Sequence, residues 1–323
     1  MEFWQNRNVF ITGCTGFLGW WLTDELVKQG ANVVGLVRDL VPQAPFYLAG
    51  LDKKITVVHG SLEDYDTIER AINEHHIDTV FHLGAQAIVG VANRNPMSTF
   101  EANIKGTWVL LEACRRNSLV TRVVIASSDK AYGDHDVLPY DETFALQGSH
   151  PYDVSKSCAD LIASTYHNTY GTPVCITRCG NLFGPGDLHY DRIVPGTMRD
   201  IAMNRRPIIR SDGSPKRDYV FVKDIAAAYM TLAEHMEDKS IHGKAYNFGT
   251  GEPLSVLEFI RLILKAADRE DLQPDVQNTA QGEILHQYLS SDLAKTTLNW
   301  KPAASVVDRL AETYEWYLAA NKD

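Results

Sequence analysis

One segment limits the possible folds of this chain more than any other: Thr12-Gly13-Cys14-Thr15-Gly16-Phe17-Leu18-Gly19. It follows a β-branched run, Asn8–Thr12, and opens an amphipathic stretch, Phe17–Gln29. Glycines three apart permit a tight turn, let the backbone approach a pyrophosphate, and let a helix pack hard against a strand. The helix start adds unpaired N–H groups and a partial positive charge that suit phosphate. A strand before and a helix after the loop supply the context the pattern needs, so Gly13, Thr15, Gly16, Phe17, Leu18 and Gly19 read as dinucleotide contacts.

The rest of the first half repeats the same rhythm. Thr56–His59, Asp78–His82, Arg122–Ala126 and Val174–Arg178, with Asn8–Thr12 and Asn32–Val37, read as short buried strands. Asp64–Glu74, Pro96–Arg116 and Pro151–Tyr170 carry apolar residues at helical spacing. Such alternation predicts an α/β fold with a doubly wound parallel sheet covered on both faces.

Past residue 179 the rhythm breaks. Gly180–Asp187 and Arg210–Arg217 read as loops; Ile225–Glu237, Val256–Ala267 and Ser305–Ala319 read as helices, and Ala245–Phe248 as a returning strand. At about 150 residues per domain, the 323 residues divide into a nucleotide-binding lobe and a smaller α/β lobe. The expected division is residues 1–178, with 218–250 returning to that lobe, against residues 179–323.

Composition narrows the partners. A formal net charge of −10, with no basic run, argues against nucleic acid or an anionic membrane. No stretch reaches the ~18 apolar residues of a membrane span. The start, Met1-Glu2-Phe3-Trp4, has no signal-peptide pattern, so the expectation is a cytoplasmic protein. Cys14, Cys114, Cys158, Cys175 and Cys179 form no C-x-x-C pair and read as buried free thiols. No metal-ligand spacing appears, and His82 and His286 read as structural.

Two further clusters carry chemistry. After the second strand stand Arg38 and Asp39: an arginine there accommodates the 2′-phosphate of NADP, and an acid receives the ribose hydroxyls of NAD. The innermost position is the apolar Val37, which leans the reading slightly toward NADP, with NAD close behind. Tyr152 and Lys156 stand four apart, on one face of a helix. A nearby cation together with the nicotinamide charge is expected to lower the phenol from ~10 toward neutrality and make it a usable base.

Together the glycine loop, Ser128, Tyr152 and Lys156 resemble the extended short-chain dehydrogenase/reductase family, which has a Rossmann fold and contains sugar-nucleotide epimerases and dehydratases. The resemblance covers almost the whole chain. Phe81–Ala87 resembles the family's cofactor-lining segment and Asn103-Ile104-Lys105-Gly106-Thr107 its N-x-x-G-T signature. The resemblance thereby adds Ser61, Leu62, Leu83, Ala85, Gln86 and Asn103 to the cofactor contacts.

Ser128-Asp129-Lys130 decides the subclass. Family epimerases usually carry small or neutral residues after the serine, whereas 4,6-dehydratases carry an acid–base pair. Asp-Lys is similar to the pair of CDP-glucose 4,6-dehydratases and of some UDP-N-acetylglucosamine 4,6-dehydratases. The resemblance implies that Tyr152 takes the C4 hydroxyl proton with Ser128 on the same oxygen, Lys130 removes the C5 proton, and Asp129 protonates the departing C6 hydroxyl. For these roles Asp129 must sit above its ordinary ~3.9 and Lys130 below its ordinary ~10.4. Gln86, Ser128, Asn181, Arg192 and Arg217 are the expected contacts of a nucleotide-diphosphate hexose, and a homodimer built on Pro96–Arg116 and Pro151–Tyr170 is implied. The alternative is an epimerase using Ser128, Tyr152 and Lys156 alone.

Overall fold

The computed structural model describes residues 2–279 and 284–320. In the first half, strands β1 (Asn8–Thr12), β2 (Asn32–Val37), β3 (Thr56–His59), β4 (Thr79–His82), β5 (Arg122–Ala126) and β6 (Val174–Cys179) alternate with helices. The helices are α1 (Phe17–Lys28), α2 (Pro45–Leu48), α3 (Tyr65–Glu74), α4 (Val89–Arg94), α5 (Pro96–Phe100), α6 (Gly106–Arg116) and α7 (Pro151–Tyr170). The second half runs β7 (Asn181–Phe183), α8 (Ile193–Ala202), β8 (Ile208–Ile209), β9 (Lys216–Arg217), β10 (Tyr219–Phe221), α9 (Val222–His235) and β11 (Ala245–Phe248). It ends with β12 (Leu254–Ser255), α10 (Val256–Ala266), β13 (Asp275–Val276), β14 (His286–Gln287), α11 (Asp292–Leu298) and α12 (Val306–Ala320).

Seven strands form one parallel sheet in the order β11-β6-β5-β4-β1-β2-β3. The direction of winding reverses between β1 and β4, and in such sheets ligands bind in the crevice at the carboxyl ends of the strands flanking that reversal. The glycine loop after β1 lies there. One face of the sheet is sealed by α1 and α9 through Trp20, Leu22, Ile225 and Tyr229; the other by α3, α6 and α7 through Ile68, Leu110 and Ala163. A separate core joins α8, α10 and α12 around Phe183 and Phe259, with the Tyr219 and Phe259 rings stacked 3.6 Å apart. Helix α10 starts with a capping box, in which Ser255 accepts from Glu258 N–H and Glu258 from Ser255 N–H.

Several expectations need correcting. The stretch 96–116 is not one helix: residues Glu101–Lys105 form a π turn between α5 and α6. Apolar spacing carries across such a one-turn widening, so periodicity does not reveal it. The loop 180–187 contains β7 and the loop 210–217 ends in β9, strands of three and two residues that have too few positions to show alternation. Helices α2, α4, α8 and α11 were not foreseen. Cys158 is half-buried rather than buried, and all five thiols are free. Among the described residues no helix is long and apolar enough to cross a membrane.

Candidate active site

The glycine loop is held by its own backbone. Gly13 takes a left-handed φ of +75°, and a Cβ there would lie 2.7 Å from the Gly84 nitrogen. A Cβ on Gly19 would lie 2.0 Å from the Gly13 carbonyl oxygen, so only glycine lets α1 sit this close to the turn. Helix α1 begins without a side-chain cap and without an acid in its first turn, leaving its first N–H groups and dipole for an anion. These features fit the pyrophosphate of a dinucleotide. Thr15, Phe17 and Leu18 are half-buried around the turn.

A chain of hydrogen bonds fixes the neighbouring strand end. Gly84 N–H donates to Thr12 Oγ1 at 3.1 Å, and Thr12 Oγ1 lies 2.8 Å from His82 Nδ1. His82 Nε2 lies 3.2 Å from Thr107 Oγ1, whose hydroxyl donates to Asn103 O at 2.6 Å. Thr107 has spent its proton, so it accepts from Nε2–H, and Nδ1 accepts from Thr12. The ring is therefore neutral, and burial pushes its pKa down to about 3.

Asn103, at the π turn, is itself buried. Its Oδ1 accepts from Gln86 N–H at 2.7 Å, and its Nδ2 donates to Gln86 O at 3.1 Å and Ser155 Oγ at 2.9 Å. That amide pins the segment carrying Leu83, Ala85 and Gln86 to α7. Leu62 fills the space beside Gly84 and Gly106, and Ser61 donates its hydroxyl to Glu63. Arg38 and Asp39 are exposed and pair with each other, Nε to Oδ2, at 2.7 Å.

The reactive groups converge at the ends of β5 and α7. Ser128 caps a short 3-10 turn, Asp129–Tyr132, accepting from Lys130 N–H at 3.2 Å. Its hydroxyl donates to Asp129 Oδ1 at 2.9 Å, and Lys130 Nζ lies 3.4 Å from Asp129 Oδ2. Ser128 stands beside Tyr152 and acts on its phenol. Pro151 at the first helical position and Tyr152 next to it start α7, so Lys156 follows one turn later. Lys156 Nζ donates to Ala126 O at 2.7 Å and lies 6.0 Å from the Tyr152 ring centre.

Burial decides the protonation energetics. It lowers Lys130, over the opposing pull of Asp129, and brings Lys156 down to about 8. In the protein alone, burial pushes the Tyr152 phenol up to about 12, and Lys156 spends a proton on the Ala126 carbonyl. Ser128 and the charge of Arg192 work in the other direction.

Of the expected diphosphate contacts, Arg192 stands before α8 with its guanidinium 3.0 Å from Asp187, and its charge reaches Tyr152. Arg217 in β9 donates to the carbonyls of Lys216, Ile284 and Leu285, and its charge reaches Lys130. Asn181 opens β7, its N–H donating to Asp218 O at 2.8 Å.

Two neighbours were not read from the sequence. Asp153, buried in the first turn of α7, acts on Lys130 and is raised by burial. Gln287 in β14 accepts from Lys130 Nζ. Its one sequence signal is that it alternates with the buried Leu289.

Residues 10–313 match the family model described as GDP-mannose 4,6 dehydratase. The chain is 30% identical over 334 residues to a CDP-glucose 4,6-dehydratase of Salmonella typhimurium, covering 98% of this chain and 92% of that protein. It also spans 47% of a trifunctional UDP-glucose 4,6-dehydratase/epimerase/reductase of Arabidopsis thaliana at 28% identity, with 97% of this chain covered. Two crystal structures superpose with a TM-score of 0.88 at 26% identity. One is a dTDP-glucose 4,6-dehydratase from Streptomyces venezuelae with NAD, 98% of each chain covered. The other is a UDP-glucose 4-epimerase from Thermotoga maritima with UDP-glucose, covering 97% of this chain and 99% of that one. A glycine loop under an uncapped helix, a Tyr152–Lys156 pair and a match over nearly the whole chain meet in one conclusion: this protein belongs to the GDP-mannose 4,6 dehydratase family, on the extended short-chain dehydrogenase/reductase fold.

Proposed function

We propose that the chain is a nucleotide-sugar 4,6-dehydratase, turning an NDP-hexose into an NDP-4-keto-6-deoxyhexose. The observation that carries this reading is the buried contact of Asp129 with both Ser128 and Lys130, beside Tyr152. An acid and an amine at that place are what elimination of water requires and what epimerisation at C4 does not use.

A bound nicotinamide dinucleotide supplies hydride acceptance at C4 and hydride return at C6. Tyr152 takes the C4 hydroxyl proton, and Ser128 holds the same oxygen. Its high pKa in the protein alone makes the positive charge of the oxidised ring the partner that readies it. Lys130, lowered by burial, removes the C5 proton once a C4 ketone has acidified it. Asp129 gives a proton to the C6 hydroxyl, which leaves as water. Gln86, Arg192, Arg217 and Asn181 hold the sugar nucleotide.

The dinucleotide is NAD or NADP. The lean is to NADP, with Arg38 leaving its exposed pair to meet a 2′-phosphate, while Asp39 accepts ribose hydroxyls from NAD. Residues 1–178 with 218–250 form the dinucleotide lobe, and the remainder forms the sugar-nucleotide lobe, with Gln86 reaching the substrate from the first. The protein acts in the cytoplasm as a homodimer, supported by Met97, Trp108 and Leu161, which α5, α6 and α7 leave exposed.

The test is incubation with UDP-, CDP-, GDP- and dTDP-hexoses followed by mass spectrometry. A product lighter by one water supports the reading. An isomer of equal mass replaces it with the epimerase.

A further inference from the structure

We propose that Gln287, delivered by β14 from the far end of the chain, is a positioning residue that holds the Lys130 amine in place as an uncharged acceptor. The inference rests on the dehydratase reading, in which Lys130 is the base at C5.

Gln287 is completely buried, and each end of its amide has a partner. Nε2 donates to Asp129 O at 3.1 Å and to Gly133 O at 3.4 Å. Both are carbonyls, so only the NH₂ end of the amide can face them, and Oε1 is left for Lys130 Nζ, which donates to it. The orientation is thus fixed by chemistry. The two carbonyls bracket the turn that bears Asp129 and Lys130, so one side chain clamps both the turn and the amine it carries.

The charged groups facing Lys130 are Asp129 on its own turn, Asp153 from α7 and Arg217 from β9. Two carboxylates favour the ammonium and one guanidinium opposes it. A third carboxylate would tip the amine further toward the charged form, which cannot accept a proton. An amide gives the same hydrogen bond without that charge. Gln287 also lies opposite Arg217 in the β14–β9 ladder. The group that holds the base and an arginine proposed to hold the diphosphate therefore share one two-strand register.

The experiment uses the full chain with NAD or NADP and whichever of UDP-, CDP-, GDP- or dTDP-glucose the unmodified protein dehydrates. The readouts are the pH profile of kcat and deuterium uptake from solvent at C5. Gln287→Glu is expected to move the acid limb of kcat upward by about one pH unit, with activity recovering at high pH. Gln287→Met, whose thioether is only a weak acceptor, is expected to lower kcat and C5 exchange about tenfold while KM stays within about twofold. Gln287→Asn, which shortens the amide away from Lys130, tests the same loss of kcat and C5 exchange should the methionine variant fail to fold. An unshifted limb in Gln287→Glu, with activity in Gln287→Met and Gln287→Asn lost only in proportion to folded protein, overturns the inference and leaves the dehydratase reading standing. If the unmodified protein dehydrates none of the four sugars, the reading falls and takes the inference with it.

Discussion

At the dinucleotide end of the site, residues close in sequence fix one another: Gly16 N–H donates to Gly13 O at 3.0 Å, and α1 starts straight from that turn. At the sugar end, Lys130 is held by Asp129 beside it, Gln287 from β14 and the charges of Asp153 and Arg217. The first end works through backbone shape, where an added methyl group is the danger. The second works through side-chain chemistry gathered across the whole chain, where a changed charge is the danger. The contrast says which kind of substitution each end should fail to tolerate.

Lys130→Met should break the sugar end hardest. Loss of a general base typically costs 10²–10⁴-fold, so dehydration and solvent exchange at C5 should fall roughly 10³-fold. Dinucleotide affinity, measured by fluorescence titration, should stay unchanged. Normal exchange in this variant would remove the amine from the chemistry.

Beneath the dinucleotide end lies a titration that should limit acid stability. The folded-state pKa of His82, about 3, is below the ~6.5 of a free imidazole. The neutral ring therefore contributes fully above pH 6.5, and that contribution drains as pH falls toward 3. Between pH 6.5 and 4 the loss is about 3 kcal/mol. Denaturant titrations over this range should show it, and His82→Gln should flatten the slope while lowering stability at neutral pH.

Gly19→Ala sharpens the backbone side of the contrast. Its methyl group would sit 2.0 Å from the Gly13 carbonyl oxygen, so the turn must move. Dinucleotide affinity should weaken about a hundredfold, roughly 2.7 kcal/mol, by calorimetric titration. Unchanged affinity would show that the loop has slack the structure does not display. The smallest effect is expected at Arg38→Ala, which should weaken NADP by about tenfold and NAD hardly at all, because it removes one exposed phosphate partner. Equal weakening of both would assign Arg38 to a part that the two dinucleotides share and not to the 2′-phosphate.

The same contrast explains how much could be read from sequence. Strands β1, β2 and β4 to β6 announce themselves because they are largely buried and rich in β-branched residues, whereas β3, expected to be buried, is an edge strand that is half-buried at its centre and exposed at its ends. The glycine loop and the Tyr152–Lys156 spacing are local geometry, visible in a few consecutive residues. Ser128, Asp129 and Lys130 were legible through family resemblance. By contrast, β9 and β14 have two residues each, and their existence depends on pairing with each other across some seventy positions. Nothing near Gln287 says that a residue 157 positions earlier will meet it. The burial around Tyr152 was not legible because spacing shows the nearby lysine but not the depth of burial or the Ala126 carbonyl that occupies that lysine.

The place of β11 has a consequence for how the molecule is assembled. It pairs with β6 residue by residue, Ala245 to Ile176 through Phe248 to Cys179, and closes that side of the sheet. As the protein is synthesised, β6 emerges long before its outer neighbour, and residues 180–244 must follow first. Through that interval the nascent chain carries an open parallel edge, the kind of surface on which strands from other molecules can add. The exposure of β6 ends only when the segment at 245–248 docks and takes over as the edge strand.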